Sequence, residues 1–249
     1  FLSYTATPQA QLIVPVFDFL SPKFAIILEP GEDYTGVNYF FNNEKSKTAQ
    51  QNIFKYTRVI PNEEITQFSE EDIIPETLKT ALMEFIIGVA IGIANDEDTA
   101  GGKNRTMMIT PSSTTSKHKQ YVASIKAIKE NWVEVLNDKN DDTETLYQKF
   151  NKVYSNEIEP NYSGKLSKFN EFKGFIIKAL RITKTQEINA RGTKKIPNVN
   201  WDEYAKILVG GIGLERGYTV EGLTVTYMSR PTSGQQDTAQ QRARFAGYR

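Results

Sequence analysis

The sequence predicts an α/β fold built on a mostly parallel sheet with helices on both faces. Three observations carry that prediction. Short strand-like runs at 24–28, 106–110, 179–185, 205–209 and 223–227 alternate with longer helical patterns, as in sheets whose strands are joined by crossovers. The stretch Ala81–Ala94 is apolar apart from Glu84. It falls short of the roughly 20 residues that span a bilayer, so it reads as a helix within a core. Finally, the glycine-rich turn Gly210-Gly211-Ile212-Gly213 directly follows Ile207-Leu208-Val209, which puts permissive backbone at the end of a buried strand.

Taken in order, Phe1-Leu2-Ser3-Tyr4 reads as a strand that Pro8 stops, and Phe24–Leu28 as a second, closed by Glu29-Pro30-Gly31. Residues 42–75 are polar and weakly periodic, a loop with short helical pieces. A helix over 76–95 opens at Pro75-Glu76. Ser112–Ser116 offers N-cap residues for a helix of about twenty residues, along which Tyr121, Ile125, Ile128, Trp132 and Val135 form one apolar stripe. Asp138–Asp142 breaks that helix, and Thr143–Tyr154 and Lys165–Lys178 read as two more. Residues 192–200 form a polar loop.

Composition bounds the chemistry. The 249 residues are 39% hydrophobic and 24% charged with zero net charge, ordinary for a globular protein. No cysteine is present, which excludes disulfides and thiolate metal sites, and one histidine excludes a histidine metal cluster. The neutral total hides an asymmetry: residues 1–100 hold 6 basic and 15 acidic side chains, residues 101–200 hold 18 and 10. A basic middle suits a phosphate backbone, although most such lysines merely solvate helix faces.

Four motifs carry chemistry. Gly211-Ile212-Gly213 with Gly217 misses the dinucleotide spacing by one residue, and the acidic residue expected about 20 positions later is missing. Leu214-x-Arg216-Gly217-x-Thr219-Val220 instead has the arrangement of helicase motif V, with Thr219 where aspartate is commoner. Gln241-x-x-Arg244-x-x-Gly247-x-Arg249 is similar to motif VI, in which a helix presents arginines to a γ-phosphate. Arginine suits that task because its permanently charged planar fork matches phosphoryl oxygens. Its spacing is two residues wider than usual, so the finger is either Arg244 or Arg249. Tyr4-Thr5-Ala6-Thr7-Pro8 resembles motif III, whose small hydroxyl residues couple hydrolysis to domain movement. Ser112, Ser113, Thr114 and Lys117 stand where a helix N-terminus can meet a nucleic-acid phosphate.

These segments together resemble the Z-one domain family, which accompanies superfamily 2 helicase-like proteins described as endonucleases in bacterial mobile or defence loci. Its usual Leu-Ser-Arg-Gly reads Leu-Glu-Arg-Gly here, and its Gln-x-Gly-Arg reads Gln-Arg-Ala-Arg. The resemblance implies a RecA-like, P-loop-NTPase-like fold. Residues 1–15 would end a first motor domain, and residues 16–249 would form a second, with inserted helices around 42–100 and 138–178. It further implies ATP and Mg2+ as cofactors, nucleic acid as partner (DNA before RNA), an adjoining first motor domain, and a cytoplasmic location. Arg244, Arg249 and Gln241 would serve catalysis, Gly213, Arg216, Gly217 and Thr219 the nucleotide, and Thr5, Ala6 and Thr7 coupling. A RecA-like scaffold without hydrolysis is the alternative.

No Gly-x-x-x-x-Gly-Lys-Ser/Thr occurs. The phosphate loop and acidic box are therefore expected upstream of Phe1, and the chain by itself is expected to be inactive. Asp202-Glu203 precedes its strand and is not that box. Glu171-Phe172-Lys173 lies in a helical pattern and is not a nuclease centre. His118 reads as a half-exposed helix residue, and Trp132 and Trp201 as packing residues.

Overall fold

The computed structural model describes residues 21, 23–29, 31, 34–35, 56–96, 104–112, 114–138, 140–161, 168–189, 198–211, 213–214, 220–229 and 247–248. Thr5, Ala6, Thr7, Ser113, Arg216, Gly217, Thr219, Gln241, Arg244 and Arg249 lie outside the described residues.

Four strands, β2 (Arg105–Ile109), β3 (Lys184–Ile188), β4 (Ala205–Gly210) and β5 (Leu223–Tyr227), form an all-parallel sheet in the order β3-β4-β2-β5. β2 and β4 are central and buried throughout or nearly so, which is why they read as continuous apolar runs. A separate antiparallel pair joins β1 (Tyr34–Thr35) to β6 (Gly247–Tyr248). A helix is expected at 247–248, yet this dipeptide is extended, consistent with glycine's poor fit to helix interiors.

The larger core lies on one face. Helix α1 (Asn62–Glu71) precedes α2 (Glu76–Ala94), which rests over β5 and buries Leu78, Leu82, Phe85, Ile86, Val89 and Ile93. Helix α3 (Thr115–Asp138) covers β3 and β4 with a stripe of His118, Tyr121, Ile125, Ile128, Trp132 and Leu136. Helix α4 (Asp141–Val153) starts with a capping box between Asn140 and Thr143, and the Thr143 hydroxyl donates to the Val135 carbonyl of α3 at 2.6 Å. A π-turn (Tyr154–Ile158), the short α5 (Phe169–Phe172) and α6 (Ile176–Ile182) bring Tyr154, Phe172 and Ile176 into the same core. On the opposite face Met108, Ile188, Leu208, Val199, Leu214 and Leu223 make a smaller cluster with Trp201 against it.

Two expected strands are corrected. Residues 24–28 form none: Phe24, Ile26, Ile27 and Leu28 are 65–92% exposed and pair with nothing described, and β-propensity makes a strand only where a neighbour completes the ladder. The strand placed at 179–185 is displaced. Ile176, Ala179 and Leu180 are buried at helical spacing in α6, and the strand is the polar Lys184–Ile188. The expected strands at 106–110, 205–209 and 223–227, and the helix at 76–95, stand within a residue of the structure. Trp132 does pack, edge-on against Phe150 at 5.3 Å.

Helix α2 is long and apolar enough to cross a membrane by length and composition, yet 56% of its most apolar window is buried within the protein. Its N-terminus receives Glu64, whose carboxylate accepts from the Thr77 amide at 3.0 Å and hydroxyl at 2.7 Å.

Gly222 fixes the entry to β5. Its φ is +61°, and a Cβ there would lie 2.0 Å from the Asn104 carbonyl oxygen. Gly222→Ala should cost about 3 kcal/mol, combining a left-handed residue with a clash against backbone. Urea unfolding checks this, and a loss below about 1 kcal/mol would contradict the geometry.

Candidate functional site

Chain direction locates the switch point of the sheet. β2 continues through α3–α6 to the edge strand β3, passing β4, whereas β4 continues to the opposite edge strand β5, passing β2. The connections that leave these two neighbouring parallel strands therefore run to opposite sides of the sheet. Open parallel sheets bind ligands in the gap this leaves.

The β2 side of the gap is Thr110–Thr114, leading into α3. The Thr110 amide donates to the Tyr227 carbonyl at 2.9 Å. The Ser112 hydroxyl accepts from the Thr114 amide at 3.2 Å and contacts the Thr114 hydroxyl, which closes a local turn just before α3. Of the expected phosphate-binding set, Ser112 and Thr114 thus sit at the gap. Lys117, one turn on, reaches away: its ammonium donates to the Ser69 hydroxyl at 2.7 Å in the last turn of α1 and to Gln120 at 3.2 Å. That places a cation at a helix end whose own last turn has none.

The β4 side is the glycine turn. A Cβ on Gly210 would come within 2.7 Å of the Ile188 carbonyl oxygen, and one on Gly211 within 2.9 Å of the Ser112 carbonyl oxygen and 3.2 Å of the His118 ring. These two glycines are required by close approach. Gly213 differs, since nothing described lies within 4 Å of a Cβ there. Gly213 and Leu214 are helical, and the Leu214 amide donates to the Gly211 carbonyl at 3.0 Å.

His118 corrects an expectation. It is 3% exposed, not half-exposed, because the glycine turn covers it. Its Nε2 bonds the Ser112 carbonyl at 2.8 Å, and since a carbonyl only accepts, Nε2 carries the hydrogen. Its Nδ1 lies 3.8 Å from Glu187 Oε1 near the end of β3, too long for a hydrogen bond. Both atoms are buried and have no hydrogen-bond partner, as is Thr110 Oγ1. His118 and Glu187 were missed as site residues. The signal for His118 was its place three residues before Tyr121 on the α3 stripe.

The opposite edge of the sheet is structural. Asp202 and Glu203 lie in the turn before β4, where the buried Lys206 ammonium donates to the carbonyls of Asn200 at 2.6 Å and Glu203 at 2.8 Å. Burial holds the Lys206 amine below its ordinary pKa. Glu171 caps α5 through the Lys168 amide, away from any acidic cluster. Among the described residues no three His, Cys, Asp or Glu side chains converge to hold a metal.

These features define an α/β protein with a parallel sheet whose C-terminal switch point is bordered by a hydroxyl-bearing turn and a glycine turn packed on each other. The family model for the Z1 domain matches residues 77–249, more than half of the chain, and the chain belongs to that family. No curated protein matches the chain. No solved structure matches it.

Proposed function

We propose that the chain is the second, RecA-like motor domain of an ATP-driven nucleic-acid translocase, within a cytoplasmic DNA-processing or defence-associated endonuclease system. One observation carries the reading: the glycine turn that leads into Arg216-Gly217 starts at the switch point, beside the hydroxyl-lined start of α3. Nucleotide and nucleic acid would thus meet neighbouring loops of one switch point. Arg216, Gly217 and Thr219 belong in this reading to the nucleotide side, with Gln241, Arg244 and Arg249 supplying charge to the γ-phosphate across a domain cleft. Thr5, Ala6 and Thr7 belong to the coupling segment of the first domain.

The described donors fit part of ATP. Among the described residues nothing crowds Gly213, and Ser112 and Thr114 offer hydroxyls. In this reading Mg2+ and the phosphate loop belong to the adjoining domain. ATP bound there supplies the phosphoryl group and its free energy. This chain contributes permanent cations where charge develops and a loop that senses the occupant.

The experiment is ATP turnover with and without single-stranded DNA. The 249-residue chain should hydrolyse none, whereas the protein carrying the adjoining motor domain should turn over faster with DNA. Lys119 is exposed and has no described partner, so Lys119→Glu should raise the DNA concentration needed and flatten its salt dependence, for any base sequence. No turnover at all favours the scaffold, and turnover that DNA does not change contradicts a nucleic-acid motor.

A further inference from the structure

We propose that His118 is the positioning residue that locks the two switch-point loops together, so that a contact on one is transmitted to the other. Only the naming of nucleic acid as the first contact rests on the motor reading. One side chain here touches the ends of three adjacent strands. Its Nε2–H holds the Ser112 carbonyl after β2, its ring supports Gly211 after β4, and its Nδ1 faces Glu187 on β3.

The residue type argues for more than filling. Every other buried position on the inner stripe of α3 is apolar or aromatic, and an aliphatic side chain would fill this one without leaving a ring nitrogen unpartnered. Imidazole earns its place by the directional bond to Ser112. Gly211 completes the lock, because any side chain there would strike both the ring and the carbonyl it binds. The third contact is adjustable. The Glu187 side chain is 25% exposed, and its 3.8 Å approach to Nδ1, an acceptor when Nε2 carries the hydrogen, is a contact and not a hydrogen bond, so it can yield. An occupant that presses Glu187 inward, or draws Ser112 outward at the start of α3, therefore moves the ring on which the glycine turn lies.

The test is amide hydrogen exchange in the full chain, with and without a single-stranded oligothymidylate. In His118→Leu, protection at Thr114, Gly211 and Leu214 should fall at least tenfold while Ile86 and Ile207 are unchanged. His118→Gln, whose amide can still donate to Ser112, should recover most of it. Loss spread evenly through the core, intact loops, or a glutamine variant behaving like leucine would overturn the proposal. If His118→Leu fails to fold, Glu187→Ala should loosen the same loops by a smaller factor, and unchanged loops there would overturn it. With oligothymidylate, resonances of 112–119 and 210–214 should move with one midpoint in the native chain and with separate midpoints in His118→Leu. Separate midpoints in the native chain contradict coupling. Failure to bind the oligonucleotide counts against the motor reading alone, and the exchange data then decide the lock.

Discussion

Arg249→Lys, in the protein that carries both motor domains, should fold and bind nucleotide normally yet lower ATP turnover by roughly 10³-fold or more. Lysine keeps the positive charge but presents a point charge on a flexible stem, whereas the guanidinium forms paired bonds to phosphoryl oxygens. Supplied across a domain cleft, such a fork contributes on the order of 10³-fold or more in rate, about 4 kcal/mol of barrier. The interaction strengthens only as charge spreads over the transferring group, so turnover should fall while nucleotide affinity holds. Arg244→Lys is the paired experiment, because the wide spacing of the motif leaves two arginines in reach. A severe loss in one variant identifies the finger. Full turnover in both would leave the phosphate without this chain's help and move the scaffold reading ahead.

Glu84→Gln should stabilise the folded chain by about 3 kcal/mol at pH 8 and by almost nothing at pH 4. Glu84 interrupts the apolar face of α2, and burial raises its pKa from 4.5 to about 7. Arg58 opposes that shift and Glu157 adds to it, the two being bound to each other at 2.6 Å through Arg58 Nε. A carboxyl whose folded pKa is raised stabilises the fold fully below the unfolded value. That contribution is lost as pH climbs from about 4.5 through 7, at about 1.4 kcal/mol per unit of pKa difference. Glutamine keeps the shape without a charge to desolvate. Urea unfolding at the two pH values decides it: an equal gap at both would mean that Glu84 is not held in its neutral form.

What could be read from the residues followed the physics of each element. β2 and β4 are central and flanked on both sides, so their apolar runs announced them. α2 and α3 are long enough for periodicity to decide. β3 is an edge strand with the polar sequence Lys-Thr-Gln-Glu-Ile, and the apolar residues just before it belong to α6. A short apolar run does not by itself distinguish helix from strand. Phe24–Leu28 shows the converse, since its residues favour a strand that no described neighbour completes. The switch-point site was legible in part. Its glycine turn stood out, but the burial of His118 depends on Gly211, 93 positions away in sequence, and its facing of Glu187 depends on where β3 falls. Lys117 looked like a phosphate ligand because the sequence does not show that α1 ends beside it.

The central claim is that nucleotide binds against the switch-point loops of this domain. Amide hydrogen exchange of the two-domain protein, with and without Mg2+ and a non-hydrolysable ATP analogue, tests it most directly. The account predicts slowed exchange at 210–223 and 237–249, a smaller effect at 112–118, and none at the opposite edge around 200–204. Unchanged exchange at 210–223, with the analogue shown to be bound, would contradict it.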